Sequence, residues 1–257
     1  MSKRRTTNFP PGMLFEGNDP TNRRYLGTCF SFYSPKLFIT AAHCIKDIPL
    51  DRLWVNHLNG PPPTLFERVQ EPTIVDRADL AFFFADSPGT GWRHEIFRKT
   101  QYNIPLGEEV CVFGFPQEIF GSDPLRPTYR ILRGFYQRSF AFRKPPLDYS
   151  AIELSFSCPE GFSGSPVFLE SDPDIVVGVV TGNYESFTIM DTVTTTYGRV
   201  EETRKVISYG CAAAMFNLVG EFKKIFPKKF GINYPDPRDN SFVLGSETII
   251  LAPQSGD

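Results

Sequence analysis

Histidine is scarce in this chain of 257 residues: there are three, at positions 43, 57 and 94, and none lies beyond residue 94. Cysteine is sparse too. The five, at 29, 44, 111, 158 and 211, are an odd number, too few to staple a scaffold, and neither a Cys-x-x-Cys pair nor a Cys/His cluster suggests zinc. Only Cys29 and Cys44 invite a bridge, because they flank a hairpin-like segment. An excess of one charge is also missing. With 27 basic and 29 acidic side chains the formal net charge is -2, so no positive field gathers phosphates, and nucleic acid is not an expected partner. Apolar runs such as Leu80 to Ala85 fall far short of the roughly 20 residues a bilayer span needs. The basic residues Lys3 to Arg5 are not followed by the apolar core of a secretory signal. The expectation is a soluble, cytoplasmic protein with no membrane partner.

What the chain does have is apolar substance. It is 41% hydrophobic and 22% charged, with 25 Phe, well away from disordered compositions. No fixed repeat is visible, and no low-complexity run beyond Pro61 to Pro63. From residue 25 onward, short apolar or alternating runs recur between turn residues: CFSFY, KLFITAA, LWVNHL, LAFFFA, EVCVFGF, YRILRGFYQ, AIELSF, SPVFL, DIVVGVV, FTIM and TTTYGRV. About eleven short strands at this spacing predict an all-β barrel or sandwich. One segment departs from it. CAAAMFNLVGEFKKIF, residues 211–226, places apolar residues at helical spacing and is the expected helix. Residues 1–24 read as an arm, and 227–257 as an extension whose SETIILA run could add a strand.

Three local sequences carry chemistry. In Ile39-Thr40-Ala41-Ala42-His43-Cys44 an apolar strand ends in small residues that leave room for an imidazole. In Arg77-Ala78-Asp79-Leu80-Ala81-Phe82-Phe83 an acid opens an apolar strand, where it must find donors or stay at the rim; Asp76 is the competing acid. In Gly161-Phe162-Ser163-Gly164-Ser165-Pro166-Val167 glycines permit a turn that presents a hydroxyl together with peptide N–H groups. Each alone has an ordinary structural reading: a packed histidine, a turn aspartate, a Gly/Ser/Pro turn.

Taken together, the three segments resemble the trypsin-like (chymotrypsin-fold) serine peptidases, with their Ala-Ala-His-Cys, Asp-Leu-Ala and Gly-x-Ser-Gly-Ser/Gly-Pro sites in the same chain order. The resemblance spans roughly residues 25–226. It implies two six-stranded antiparallel β-barrels, the first over about 25–100 and the second over about 101–210, followed by the helix. It implies a triad of His43, Asp79 and Ser163, an oxyanion hole made by the N–H groups of Gly161 and Ser163, and a protein or peptide substrate. Such chemistry requires neither metal nor organic cofactor. The order of the motifs also excludes rivals. An α/β-hydrolase needs a histidine after its serine, and none follows Ser163. A subtilisin-like order needs an aspartate before the histidine, where Asp19 is the sole offering, and its serine would open a helix instead of the VFL strand.

Against the digestive members of that family, the chain lacks an Ile-Val-Gly-Gly type N-terminus and has Phe162 where an Asp would precede the serine. It is nearer the glutamyl endopeptidases and high-temperature-requirement proteases. In Leu26-Gly27-Thr28-Cys29-Phe30, Cys29 stands at a glycine position of their Gly-x-Gly-Phe strand, which argues against a Cys29–Cys44 disulfide. The base of the specificity pocket falls near Ser157 and its wall at Thr181, Gly182 and Asn183. Neither an acid nor a histidine is there, which implies a neutral pocket for a small or apolar residue. Phe162 either packs beneath the turn or plugs the site, and a plug would call for an activating partner protein. The competing functions are a catalytically silent domain of this type, binding peptides or scaffolding a complex, and acyl transfer to other acceptors on the same triad.

Overall fold

The computed structural model describes residues 12–19, 22–34, 36–56, 66–85, 103–117, 129–194 and 200–231. The SETIILA run, His57 and His94 lie outside them. The first half of the chain makes one seven-stranded antiparallel sheet from β1 (Gly12–Asp19), β2 (Asn22–Ser31), β3 (Leu37–Ala41), β4 (Leu53–Asn56), β5 (Phe66–Arg68), β6 (Gln70–Val75) and β7 (Leu80–Phe84). Its order is β5-β4-β1-β2-β3-β7-β6. The second half closes into a six-stranded barrel of β8 (Glu109–Gly114), β9 (Arg130–Lys144), β10 (Leu147–Leu154), β11 (Pro166–Leu169), β12 (Val176–Thr194) and β13 (Val200–Ala214). A helix, α1 (Val219–Phe230), follows. This is the expected mostly-β architecture of the chymotrypsin fold, with one difference: the first unit is a half-barrel of seven strands, where a six-stranded barrel was expected.

Two boundaries also differ from the sequence reading. β1 lies inside the segment expected to be an arm, and it pairs with both β2 and β4. Its Met13, Leu14 and Phe15 are buried, which explains why so short and mixed a sequence joins the sheet. The expected helix at 211–226 starts too early. Cys211 to Ala214 belong to β13, where Ala212 and Ala213 pair with Ile152 and Ala151 of β10 and close the barrel. Small side chains suit that closure, whereas the helical spacing that predicts the element is carried by Phe222 and Phe226, which are fully buried.

Those two phenylalanines join the halves. Phe222 stacks on Phe32 with ring centroids 5.4 Å apart, within a core that includes Ile39 and Phe82 of the first sheet and Phe113 and Phe168 of the barrel. Burying each contributes about 2–3 kcal/mol, so the helix acts as a clasp across both units.

Candidate active site

The register of β3 against β7 builds the first part of the site. Ala41 pairs with Leu80 and Thr40 with Ala81, so the end of β3 and the start of β7 leave the sheet side by side. His43 stands in a single 3-10 turn, Ala42–Cys44, after β3. Asp79 stands immediately before β7, after the 3-10 turn Asp76–Ala78. Its backbone is left-handed, with φ 50° and ψ 39°, a conformation that Asp tolerates better than most residues. That conformation turns the Asp79 carbonyl to accept from Ala42 N at 2.9 Å and aims the carboxylate at the histidine. Asp79 Oδ2 lies 2.7 Å from His43 Nδ1, and Oδ1 accepts the His43 backbone N–H at 2.9 Å. Asp76, the competing acid, is exposed.

The ion pair is half open: the His43 side chain is 40% exposed and that of Asp79 13%. Burial works against the imidazolium, but the Asp79 hydrogen bond and the neighbouring Cys44 outweigh it and hold the His43 pKa up at about 10.

The serine turn enters from the barrel. Ser165 N–H donates to Phe162 O at 2.9 Å, Gly164 N–H to Val180 O at 2.8 Å, and Val180 N–H returns a bond to Ser165 O at 2.9 Å. The turn is pressed against the first sheet, where Thr28 N–H donates to Ser163 O at 2.8 Å and Cys44 Sγ meets the same carbonyl at 3.9 Å. Ser163 therefore sits beside the residue that follows His43. No hydrogen bond joins Ser163 Oγ to the His43 ring among the described residues.

Gly164 is required here. Its φ is +86°, and a Cβ would collide with Thr28 O and Thr40 Oγ1. Phe162 is fully buried beneath the turn among Val110, Val112, Leu154 and Val167, with Gly114 making room for its ring. It packs under Ser163 and does not plug the site.

Gly161 and Ser163 carry the free donors of the turn. The N–H groups of Phe162, Gly164 and Ser165 are all spent on carbonyls of the protein, whereas those of Gly161 and Ser163 bond nothing among the described residues. Because a trans peptide sets its N–H opposite its carbonyl, the neighbouring bonds fix where these two point. Glu160 O is held by Gln117 N–H at 2.8 Å, which turns the Gly161 N–H away from residue 117; Phe162 O is held inside the turn, which turns the Ser163 N–H out of it.

Two residues that sequence reasoning missed brace this arrangement. The Tyr25 hydroxyl reaches Gly161 O at 2.8 Å and Phe115 O at 3.0 Å, and Thr28 Oγ1 donates to Gly161 O at 3.0 Å. Thr28 lies in the Leu26–Phe30 segment already singled out by its sequence, which was the signal available for it; Tyr25 stands one residue before that segment and carried no such signal. Gly27 itself approaches the site: a Cβ there would lie 2.8 Å from Cys44 Sγ and 2.9 Å from Ser163 O. Cys29 and Cys44 are both free thiols.

Of the expected pocket residues, Ser157 and Asn183 are exposed and Thr181 and Gly182 half-buried. Thr181 Oγ1 lies 3.2 Å from the Tyr149 hydroxyl. The Asn183 carboxamide spans to the segment of Ser157, accepting from Cys158 N–H and donating to Cys158 O, each at 2.8 Å. Burial first, then the nearby Cys211, pushes the Cys158 thiol up to about 12, so it is neutral. Among the described residues no group of His, Cys, Asp and Glu could hold a metal ion, and no helix is long and apolar enough to cross a membrane.

A family model for the trypsin-like peptidase domain matches residues 27–179, more than half of the chain. The chain belongs to this family. The matched span of the peptidase domain contains His43, Asp79, Gly161 and Ser163. Solved structures agree on its fold at low identity. The apo MamO protease domain from Magnetospirillum magneticum superposes with a TM-score of 0.56 at 16% identity, covering 84% of this chain and 97% of its own. The active form of the Rv3671c protease from M. tuberculosis gives 0.53 at 16%, covering 88% and 83%. Deg5 gives 0.51 at 17%, covering 68% and 81%. The sequence matches no curated protein.

Proposed function

We propose that this trypsin-like peptidase domain is a serine endopeptidase that cleaves protein or peptide substrates through an acyl-enzyme. Ser163 attacks the scissile carbonyl, His43 takes its proton and returns it to the leaving amine, and Asp79 fixes the tautomer and steadies the imidazolium. The N–H groups of Gly161 and Ser163 receive the oxyanion, a role in which each donor typically contributes about 3 kcal/mol. Ser157, Thr181, Gly182 and Asn183 border the pocket for the residue before the scissile bond, and none of them is charged, which favours a small or apolar side chain.

The observation that carries this reading is the pair of hydrogen bonds by which both Asp79 oxygens grip His43, at 2.7 and 2.9 Å. A turn-forming aspartate has no need to hold an imidazole. The test is cleavage of an unfolded protein by the purified chain, with the new termini read by mass spectrometry. New termini that also appear with Ser163→Ala and His43→Ala would count against it, and their absence from all three proteins would favour a silent, peptide-binding domain.

A further inference from the structure

Residues 157–160 lead into the serine turn on one side, and β12, which the bonds between Gly164, Ser165 and Val180 hold alongside the turn, passes on the other. A substrate carbonyl placed on Ser163, with its oxygen on the Gly161 and Ser163 amides, sends the preceding side chain between these two segments. The strand has room at Gly182, where an added Cβ would meet nothing within 4 Å. One residue further on, the two segments are bridged: Asn183 is exposed, yet both ends of its carboxamide are committed to the backbone of Cys158, which is buried.

At the paired position on β13 the segments are tightly packed. Gly210, the partner of Asn183 across β12 and β13, has no room even for a methyl group, which would come within 2.8 Å of Phe156 O and 3.0 Å of Cys158 Sγ. The bridge is also held in place by its own chemistry. Swinging Asn183 aside would leave the N–H and the carbonyl of Cys158 unpaired in a part-buried setting, and such groups are costly to strand.

Resting on the peptidase reading above, we infer that Asn183 is a specificity-determining strap: its carboxamide, locked to Cys158, shortens the pocket so that the enzyme accepts Gly, Ala or Ser before the scissile bond and refuses large apolar residues. Truncating the strap frees the space its carboxamide occupies between the two segments, without touching His43, Asp79 or Ser163.

The test compares two peptidyl phosphonates that differ only in carrying an Ala-like or a Phe-like side chain next to phosphorus. Each rate is divided by the same protein's rate with a small fluorophosphonate that has no such side chain, which corrects for any loss of folded enzyme. The wild type should prefer the Ala-like probe by at least about 10-fold, and Asn183→Gly and Asn183→Ala should each reduce that preference severalfold. A wild type that takes both probes equally, or variants that keep the wild-type ratio, would overturn the strap while leaving the peptidase reading intact. Failure of every protein to react with the fluorophosphonate would overturn the peptidase reading, and the strap with it.

Discussion

Both carboxylate oxygens of Asp79 bond the same residue, one to the ring Nδ1 of His43 and the other to its backbone N–H. The ring bond chooses a tautomer and the backbone bond stops the carboxylate from rotating away. In the proposed mechanism Nε2 is then the ring nitrogen left to act as the base. The left-handed backbone at Asp79 is part of the same device, since it brings the carboxylate beside β3 while its carbonyl ties down Ala42.

Asp79→Asn should lower kcat/KM by roughly 10³–10⁴-fold, because an amide can hold the ring in the wrong tautomer. The pH profile gives a second readout. His43 acts as a base only when neutral, so with its pKa held at about 10 the wild-type rate should climb steadily from pH 7 toward 10. In Asp79→Asn that limb should move toward the ordinary histidine value near 6.5. The linked effect on stability has a fixed sign: a raised histidine pKa stabilises the fold fully below pH 6.5, and this is lost as pH rises through about 10. The melting-temperature gap between wild type and Asp79→Asn should therefore be wider at pH 6 than at pH 10.5, and a gap independent of pH would contradict the pairing.

Phe162→Ala should destabilise the protein by about 3–5 kcal/mol in denaturant titrations, the usual cost of emptying a phenylalanine site in a core. A plug would behave in the opposite way, its removal raising activity at little cost in stability.

Gly164→Ala should be more damaging than its single methyl group suggests. The residue has φ +86°, and the new Cβ would meet Thr28 O and Thr40 Oγ1, so either the serine turn or the seam between the sheets must shift. The expected outcome is a melting temperature lowered by several degrees together with loss of activity. Wild-type values for both would contradict the packing described.

Tyr25→Phe should leave the fold intact, cost about 1 kcal/mol of stability and lower kcat with little change in KM, because it loosens the Gly161 peptide proposed to present one oxyanion donor. A change confined to KM would place Tyr25 in substrate binding instead.

The mostly-β architecture and the three motif segments were legible in the sequence because they are written locally, as alternating strands and as short runs with fixed neighbours. His43, Asp79 and Ser163 each sit at the end or start of an apolar strand, and strand ends are readable. The brace from Tyr25 and Thr28 to Gly161 was not, since it joins residues more than 130 positions apart. The helix start was misplaced because Cys211 to Ala214 have no strong local preference and the barrel decides their conformation. FTIM and DIVVGVV, which read as two strands, are one long β12, for the turn residues between them are absorbed into its pairing with β13. Phe162 could not be placed from sequence, because only the packing of Gly114 and the surrounding valines shows which way its ring points.

The central claim is that Ser163 is a nucleophile activated by His43. It is tested most directly by incubating the purified chain with a fluorophosphonate and locating the adduct by peptide mass spectrometry. The expected result is a single adduct on Ser163, abolished in Ser163→Ala and strongly slowed in His43→Ala. Labelling that persists in Ser163→Ala, or a wild type that stays unlabelled, would contradict it.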